Sequence, residues 1–240
     1  MEKSLSIGAL GSGLASRFGS NGLQCSLLAL LAFLPMSGLT LLSSAQMQYQ
    51  EGREFCLAAL TLSRFLTPPI AVLIVAYLAR KDGLLPDKQT LWGIFTRSAL
   101  PSIGLVLAIL TFGSFASLLF VVPGLAFFLA ASVSLPALVS ENLRGPSAIK
   151  RSWGLTQGHR WTLLGFWLSY LLFSMAVLVA IILGTSRGTP PSTELLPLAQ
   201  QEFFLPSVLG LAFLYSGLVT ASYESYTQLL KIEKSGVQRD

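Results

Sequence analysis

Apolar positions in this chain come in long unbroken runs, not at the alternating spacing of half-buried strands. From Ser98 to Ser140, 43 residues pass without Asp, Glu, Lys, Arg or His. One membrane-crossing helix needs about 20 apolar residues, so this run reads as two helices in a hairpin. Pro123-Gly124 is the expected break, because Pro suits the first turn of a new helix; Gly113-Ser114 is the alternative. Apolar runs on either side add four more helices. The predicted spans are about 23–42, 55–79, 99–121, 123–140, 161–184 and 203–223. The predicted fold class is all-α: a polytopic membrane bundle of six transmembrane helices with short cytoplasmic interfacial helices.

Two runs need a closer look. Leu23 to Leu42 is followed by Ser43 and Ala45, which have the small-residue spacing of a signal-peptide cleavage site. The run is longer than the usual 7–15 apolar residues of such peptides, so it is read as the first span, with cleavage as the alternative. Phe55 to Ala79 carries one charge, Arg64, and twelve Phe, Leu, Ile or Val residues. Those twelve offer about −5 kcal/mol of insertion energy against roughly +3 kcal/mol for a central arginine, so the helix still inserts. Pro68 and Pro69 are expected to kink it and free nearby carbonyls. Arg64 then either snorkels or bonds those carbonyls, or contacts a substrate or lipid phosphate.

Amphipathic patterning marks two shorter pieces. Leu85 to Arg97 places Leu91, Ile94 and Phe95 on one side, which predicts an interfacial helix. Gly145 to Gly158 places Ala148, Ile149, Ser152, Trp153 and Leu155 in one arc, with Lys150 and Arg151 outside it. Residues 1–20, with Gly8, Gly11, Gly13 and Gly19 among serines, are expected to be a flexible cytoplasmic tail. Residues 227–240 form a second cytoplasmic tail, leaving 21–226 as the membrane domain.

Composition agrees with the pattern. Charged residues are 11% of the chain, against about 25% in soluble domains, and 52% of residues are apolar. The net charge of +5 is no sign of nucleic-acid binding, because the basic residues flank apolar runs. With six spans, one side collects thirteen of the sixteen Lys and Arg residues, and Arg53, Arg64 and Arg187 remain on the other. That asymmetry predicts both termini in the cytoplasm, with anionic lipids against the basic face.

Candidate chemistry is sparse. Cys25 and Cys56 start consecutive runs, so they are not expected to meet, and a single histidine with no CxxC makes a zinc site unexpected. No cofactor is implied. Glu141 ends the fourth span and can pair with Arg144, Arg151 or Arg160, pinning the interfacial helix to the hairpin. His159 would need a carboxylate partner to act as a base. Ser169 and Ser174 have no nearby base to activate them, so they read as packing hydroxyls. The candidate functional residues are therefore Arg64 within the membrane and Glu141, Lys150, Arg151, Trp153, His159 and Arg160 as a cytoplasmic docking motif.

That motif carries a resemblance. VVPG at 121–124, SLPALVSE at 134–141 and PSAIKRSWGLTQGHRW at 146–161 occur in this order. Together they resemble the membrane-domain family of glycerophosphoryl diester phosphodiesterases and related six-span bacterial inner-membrane proteins of unknown function. The matching positions are Pro123, Gly124, Glu141, Ala148, Arg151, Ser152, Trp153, Leu155, Thr156, Gly158 and His159. The resemblance covers about residues 85–185. In that family the phosphodiesterase reaction belongs to a separate soluble barrel with metal-binding carboxylates, which this sequence lacks. The resemblance therefore implies an anchoring or lipid-proximal role in a bacterial inner membrane and no enzyme activity. The expected function is a non-catalytic scaffold that organises lipids, a protein partner or further copies of itself; the alternative is a carrier for a small molecule or lipid that uses Arg64 in a cavity.

Overall fold

The computed structural model describes the backbone of residues 5–44, 50–86, 89–119, 121–186 and 196–237. Side chains are described for residues 5–31, 65–86, 89–115, 124–180 and 209–235. The described chain is all-helical: α1 Ile7–Ser44, α2 Gln50–Lys81, α3 Leu91–Leu119, α4 Val121–Ala131, α5 Ser134–Ser140, α6 Gly145–Thr156, α7 Arg160–Ser186 and α8 Leu196–Val237.

The long helices pack antiparallel to their chain neighbours. Lys81 Nζ donates to Asn21 Oδ1 at 2.5 Å and Tyr77 to Gln24 at 2.8 Å, which fixes α2 against α1. The Ser26 and Ser216 hydroxyls, 3.0 Å apart, fix α8 against α1, and Tyr170 donates to the Leu214 carbonyl at 2.5 Å, tying α7 to α8. α2 is the central helix. Its residues Ala71, Val72, Ile74, Val75, Ala76, Leu78 and Ala79 are buried around its circumference by α1, α3, α5 and α8. A second core joins Leu5 and Leu10 of the N-terminal segment to Val133 and Ala137, to Leu163 and Phe166 of α7, and to Tyr226 and Leu229 of α8.

Both expected tails are corrected by this packing. Residues 1–20 were expected to be flexible, yet α1 begins at Ile7. Each glycine costs a helix up to about 1 kcal/mol against alanine, but burial of Leu5 and Leu10 outweighs that local cost. One of those glycines is needed. A Cβ on Gly13 would lie 2.7 Å from Cδ of Glu224, so only a bare backbone lets α1 pass that side chain. At the other end, α8 runs to Val237 through the expected tail, held by buried Leu229.

Three further boundaries differ from the sequence reading. Among the described residues no separate helix lies within 85–97; α3 starts at Leu91 and continues through Arg97, since no stop residue separates that stretch from the apolar run. The described helices of the hairpin are Leu91–Leu119 and Val121–Ala131, which puts Pro123 in the first turn of α4. The expected fourth span, 123–140, is two helices. Pro136 has no N–H, so the Ser132 carbonyl four residues earlier lacks its helical donor. The chain opens there and the Ser222 hydroxyl of α8 donates to that carbonyl at 2.6 Å. Ser134 serves the Ala131 carbonyl at 2.6 Å, and Ser152 of α6 serves that of Ala130. α2 ends where the sequence suggested. Gly83 takes φ +70, and the Gly83 and Leu84 amides close onto the Arg80 and Ala79 carbonyls.

Two described stretches are long and apolar enough to cross a membrane, Leu91–Phe115 and Arg160–Ala180; Gly124–Ser140 is a shorter apolar stretch. Only 22% and 11% of their most apolar windows are buried. Leu100, Phe112 and Phe115 on α3, Leu172 and Phe173 on α7, and Leu23 on α1 all face outward. Inside, Ser102, Ser216 and Thr220 are buried.

Candidate functional site

Charged side chains gather at one end of the bundle, where α1, α7 and α3 begin and α2, α5 and α8 end. The last turns of α8 organise them. Tyr223 and Glu224 face α1 and α2, while Tyr226 and Glu233 face α5 and α6.

On the first side, the Arg17 guanidinium bridges two carboxylates. Its Nη1 donates to Asp82 Oδ2 at 2.5 Å and its Nε donates to Glu224 Oε2. Glu224 is nearly sealed, with 2% of its side chain exposed. A buried carboxylate persists only if its oxygens are satisfied, and here Gln228 Nε2 also donates to Glu224 Oε1 at 2.7 Å. The Tyr223 hydroxyl donates to Asp82 at 2.9 Å, and its ring lies under Arg17, 5.2 Å from the guanidinium carbon. Burial alone would lower the Arg17 pKa; Asp82 and Glu224 outweigh it and hold the group above its ordinary value.

The second side repeats the arrangement. Arg151 of α6 meets Glu233 of α8 in a fork, both contacts at 2.7 Å, and its Nε donates to both Glu141 oxygens at 2.9 Å. The Tyr226 hydroxyl donates to Glu141 at 3.0 Å. Hydrogen bonding to Glu233, then to Glu141, raises the Arg151 pKa despite partial burial, and the same contact with Arg151 lowers that of Glu233. Burial first and Glu141 second push the Tyr226 phenol up, which keeps it a donor.

These contacts decide between the readings of the motif residues. Of the three arginines able to pair with Glu141, Arg151 does so, and this pins α6 to the end of α5. Arg151 was expected on an outward basic face; it is half-buried and neutralised instead, because Glu233 on α8 reaches it. Lys150 remains exposed. α6 buries Ala148, Ser152, Leu155 and Thr156, and Trp153, expected inside that arc, is exposed with Arg160 stacked on its ring at 4.3 Å. The His159 imidazole has no carboxylate within ion-pair reach among the described residues, and its backbone amide closes the turn onto Thr156. Ser169 and Ser174 donate to the Gly165 and Leu171 carbonyls of their own helix. The Arg64 side chain and all of Cys56 beyond the backbone lie outside the described residues, as does any cavity around them. Among the described residues, no cluster of His, Cys, Asp and Glu is placed to hold a metal ion.

Arg17, Asp82 and Glu224 were missed as a site. Each stands at the end of a different apolar run, and nothing local links them. The available signal was their shared edge: three charges of mixed sign, one per helix end, all on the basic side.

No protein-family model, curated protein or solved structure matches the chain.

Proposed function

We propose that this chain is a six-span integral membrane protein of a bacterial inner membrane. In this reading it works as a non-catalytic scaffold whose charged end, in the cytoplasm, docks anionic lipid or a partner protein. The observation that carries the reading is the inverted surface: large apolar side chains face outward on α1, α3, α7 and α8, while hydroxyls are buried between the helices. In water such a surface would aggregate; in hydrocarbon it is solvated, and interhelical hydroxyl contacts hold the bundle. Trp92, Trp153 and Trp161 are exposed at the charged end, where tryptophans of membrane proteins meet the headgroups. The basic asymmetry of the sequence supports the cytoplasmic placement, and the motif resemblance agrees with a lipid-proximal role.

The docking face is what the ionic contacts leave free. Arg17 and Arg151 are neutralised by carboxylates, whereas Lys150, Lys231, Lys234 and Arg144 are exposed at this end. Each lysine near an anionic membrane surface contributes about 1 kcal/mol. Carbonate washing of native membranes is expected to leave the protein in the pellet; its release into the wash overturns the membrane reading. Mild-detergent purification of wild type and of Lys150→Glu/Lys231→Glu tests docking. Loss in the variant of a stoichiometric anionic lipid or protein supports it, and identical bound material in both refutes it.

A further inference from the structure

We propose that a groove beside the α4–α5 break holds one acyl chain of a bilayer lipid, from the leaflet at the charged end. The proposal rests on the membrane reading above. The groove has a volume of about 540 Å³, inside the roughly 300–1,000 Å³ typical of ligand sites. Buried Ala71 and Ala131 line its base. Phe128, Leu168 and Leu218 on its rim are themselves exposed members of the outward apolar surface. The groove is thus continuous with the surface that hydrocarbon covers.

Its length suits one extended acyl chain, and one end lies near the charged groups. On α8 the lining runs from Tyr215 to Ser222, seven steps of about 1.5 Å, or about 10 Å. Ser222 lies two residues before Glu224. On α8 the groove therefore starts next to the charged end, and on α2 its lining reaches Thr67, fifteen residues or about 22 Å from Asp82. The break before Pro136 borders it, with Ser132, Ser134 and Leu135 on one wall.

Its chemistry excludes a charged ligand. No Asp, Glu, Lys, Arg or His is among its described lining residues, so an ion would lose its hydration with nothing in return. The hydroxyls of Ser132, Ser134 and Ser222 already donate to backbone carbonyls, and that of Tyr215 to Thr67. The indole N–H of Trp167 differs: it is buried and has no acceptor among the described residues. That nitrogen has almost no accessible surface, so the groove asks no hydrogen bond of its occupant.

Quenching by brominated lipid tests this. The full chain with Trp92, Trp153 and Trp161 each changed to Phe keeps Trp167 as sole reporter. It is reconstituted in phosphatidylcholine vesicles with a rising fraction of phosphatidylcholine brominated in its acyl chains. The expected result is a linear fall of fluorescence with brominated fraction, the signature of contact with one lipid. Val106→Phe, which fills the groove from α3, should cut the quenching at full bromination at least threefold; Leu135→Phe does so from α5 if the first variant fails to reconstitute. An unquenched Trp167 (a dry groove, or one filled by another apolar molecule), a steeper multi-lipid curve, or quenching unaffected by the filled groove overturns the proposal. A parallel chain with Trp161 as sole reporter separates the two readings. If it too is unquenched and the protein does not float with vesicles, the membrane reading has failed, not the groove alone.

Discussion

Arg17 and Arg151 each bridge two carboxylates, and each has a tyrosine donating to one of them. Arg17, however, works against Glu224, which is 2% exposed, whereas Arg151 sits between Glu141 and Glu233, which are 27% and 40% exposed. The same set of groups should therefore matter differently. Around Glu224 the protein replaces water, so losing one partner strands a charge. Around Glu233 water remains to replace what is lost. The first clamp joins the first, second and last long helices and closes the bundle; the second fastens a short helix to its surface. The difference teaches that a motif conspicuous in sequence, here the stretch around Arg151, need not hold the more consequential ion pair.

The largest expected effect is from Arg17→Ala. Breaking a buried pair from one side costs roughly 3–5 kcal/mol, because the remaining charge is uncompensated. The check is the temperature at which half of the detergent-purified protein loses its monodisperse peak. Replacing both members, as Arg17→Met/Glu224→Leu, should recover part of the loss, since apolar packing in place of a buried pair is often neutral. Arg151→Ala should cost about 1–2 kcal/mol, between the values for an exposed pair and a buried one. If the two arginine variants lose equal stability, the contrast in burial has no energetic meaning.

Gly13 sharpens the same contrast. An alanine there gains up to about 1 kcal/mol of helix propensity, but its Cβ would press on the Glu224 carboxyl, which Arg17 and Gln228 hold in place. Displacing a packed group costs about 1–3 kcal/mol, so Gly13→Ala should be destabilising alone. In a Glu224→Ala background the same change should stabilise. Additive effects in that double-mutant cycle would mean that the glycine answers to something other than Glu224.

How much of this was legible in the sequence follows from the range of the interactions. The all-helical architecture, the stop at Gly83 and the α6 helix could be read because runs of apolar residues, a glycine in the left-handed region and a helical wheel are local signals. The Glu141–Arg151 contact spans ten residues and was among three options. The Arg17–Glu224 contact spans 207 residues and had no local trace, and glycines at 8, 11 and 13 pointed the other way, toward a tail. Gly13 permits a close helix crossing whose partner, α8, lies at the opposite end of the chain. Pro136 was visible, but its consequence depended on Ser222 being in place to donate to the freed Ser132 carbonyl.

The smallest expected effect is a pH dependence of the exposed clamp through Glu233. Contact with Arg151 lowers the Glu233 pKa below its ordinary value of 4.5. A carboxylate depressed in the folded state contributes stability that is present above its unfolded pKa and is lost as pH falls through the folded one. Arg151 is raised and stays charged throughout. Acidification should therefore loosen this clamp only below about pH 4.5, and because Glu233 is 40% exposed the loss should be well under that of Arg151→Ala. The measurement compares wild type with Glu233→Gln from pH 7 to pH 3.5, reading proteolysis at the α6–α8 contact. Wild type should approach the variant at the acid end and differ from it near neutrality, in favour of wild type. Parallel curves with a constant offset would show that Glu233 acts through packing and not through its charge, and the two clamps would then differ in kind as well as in burial.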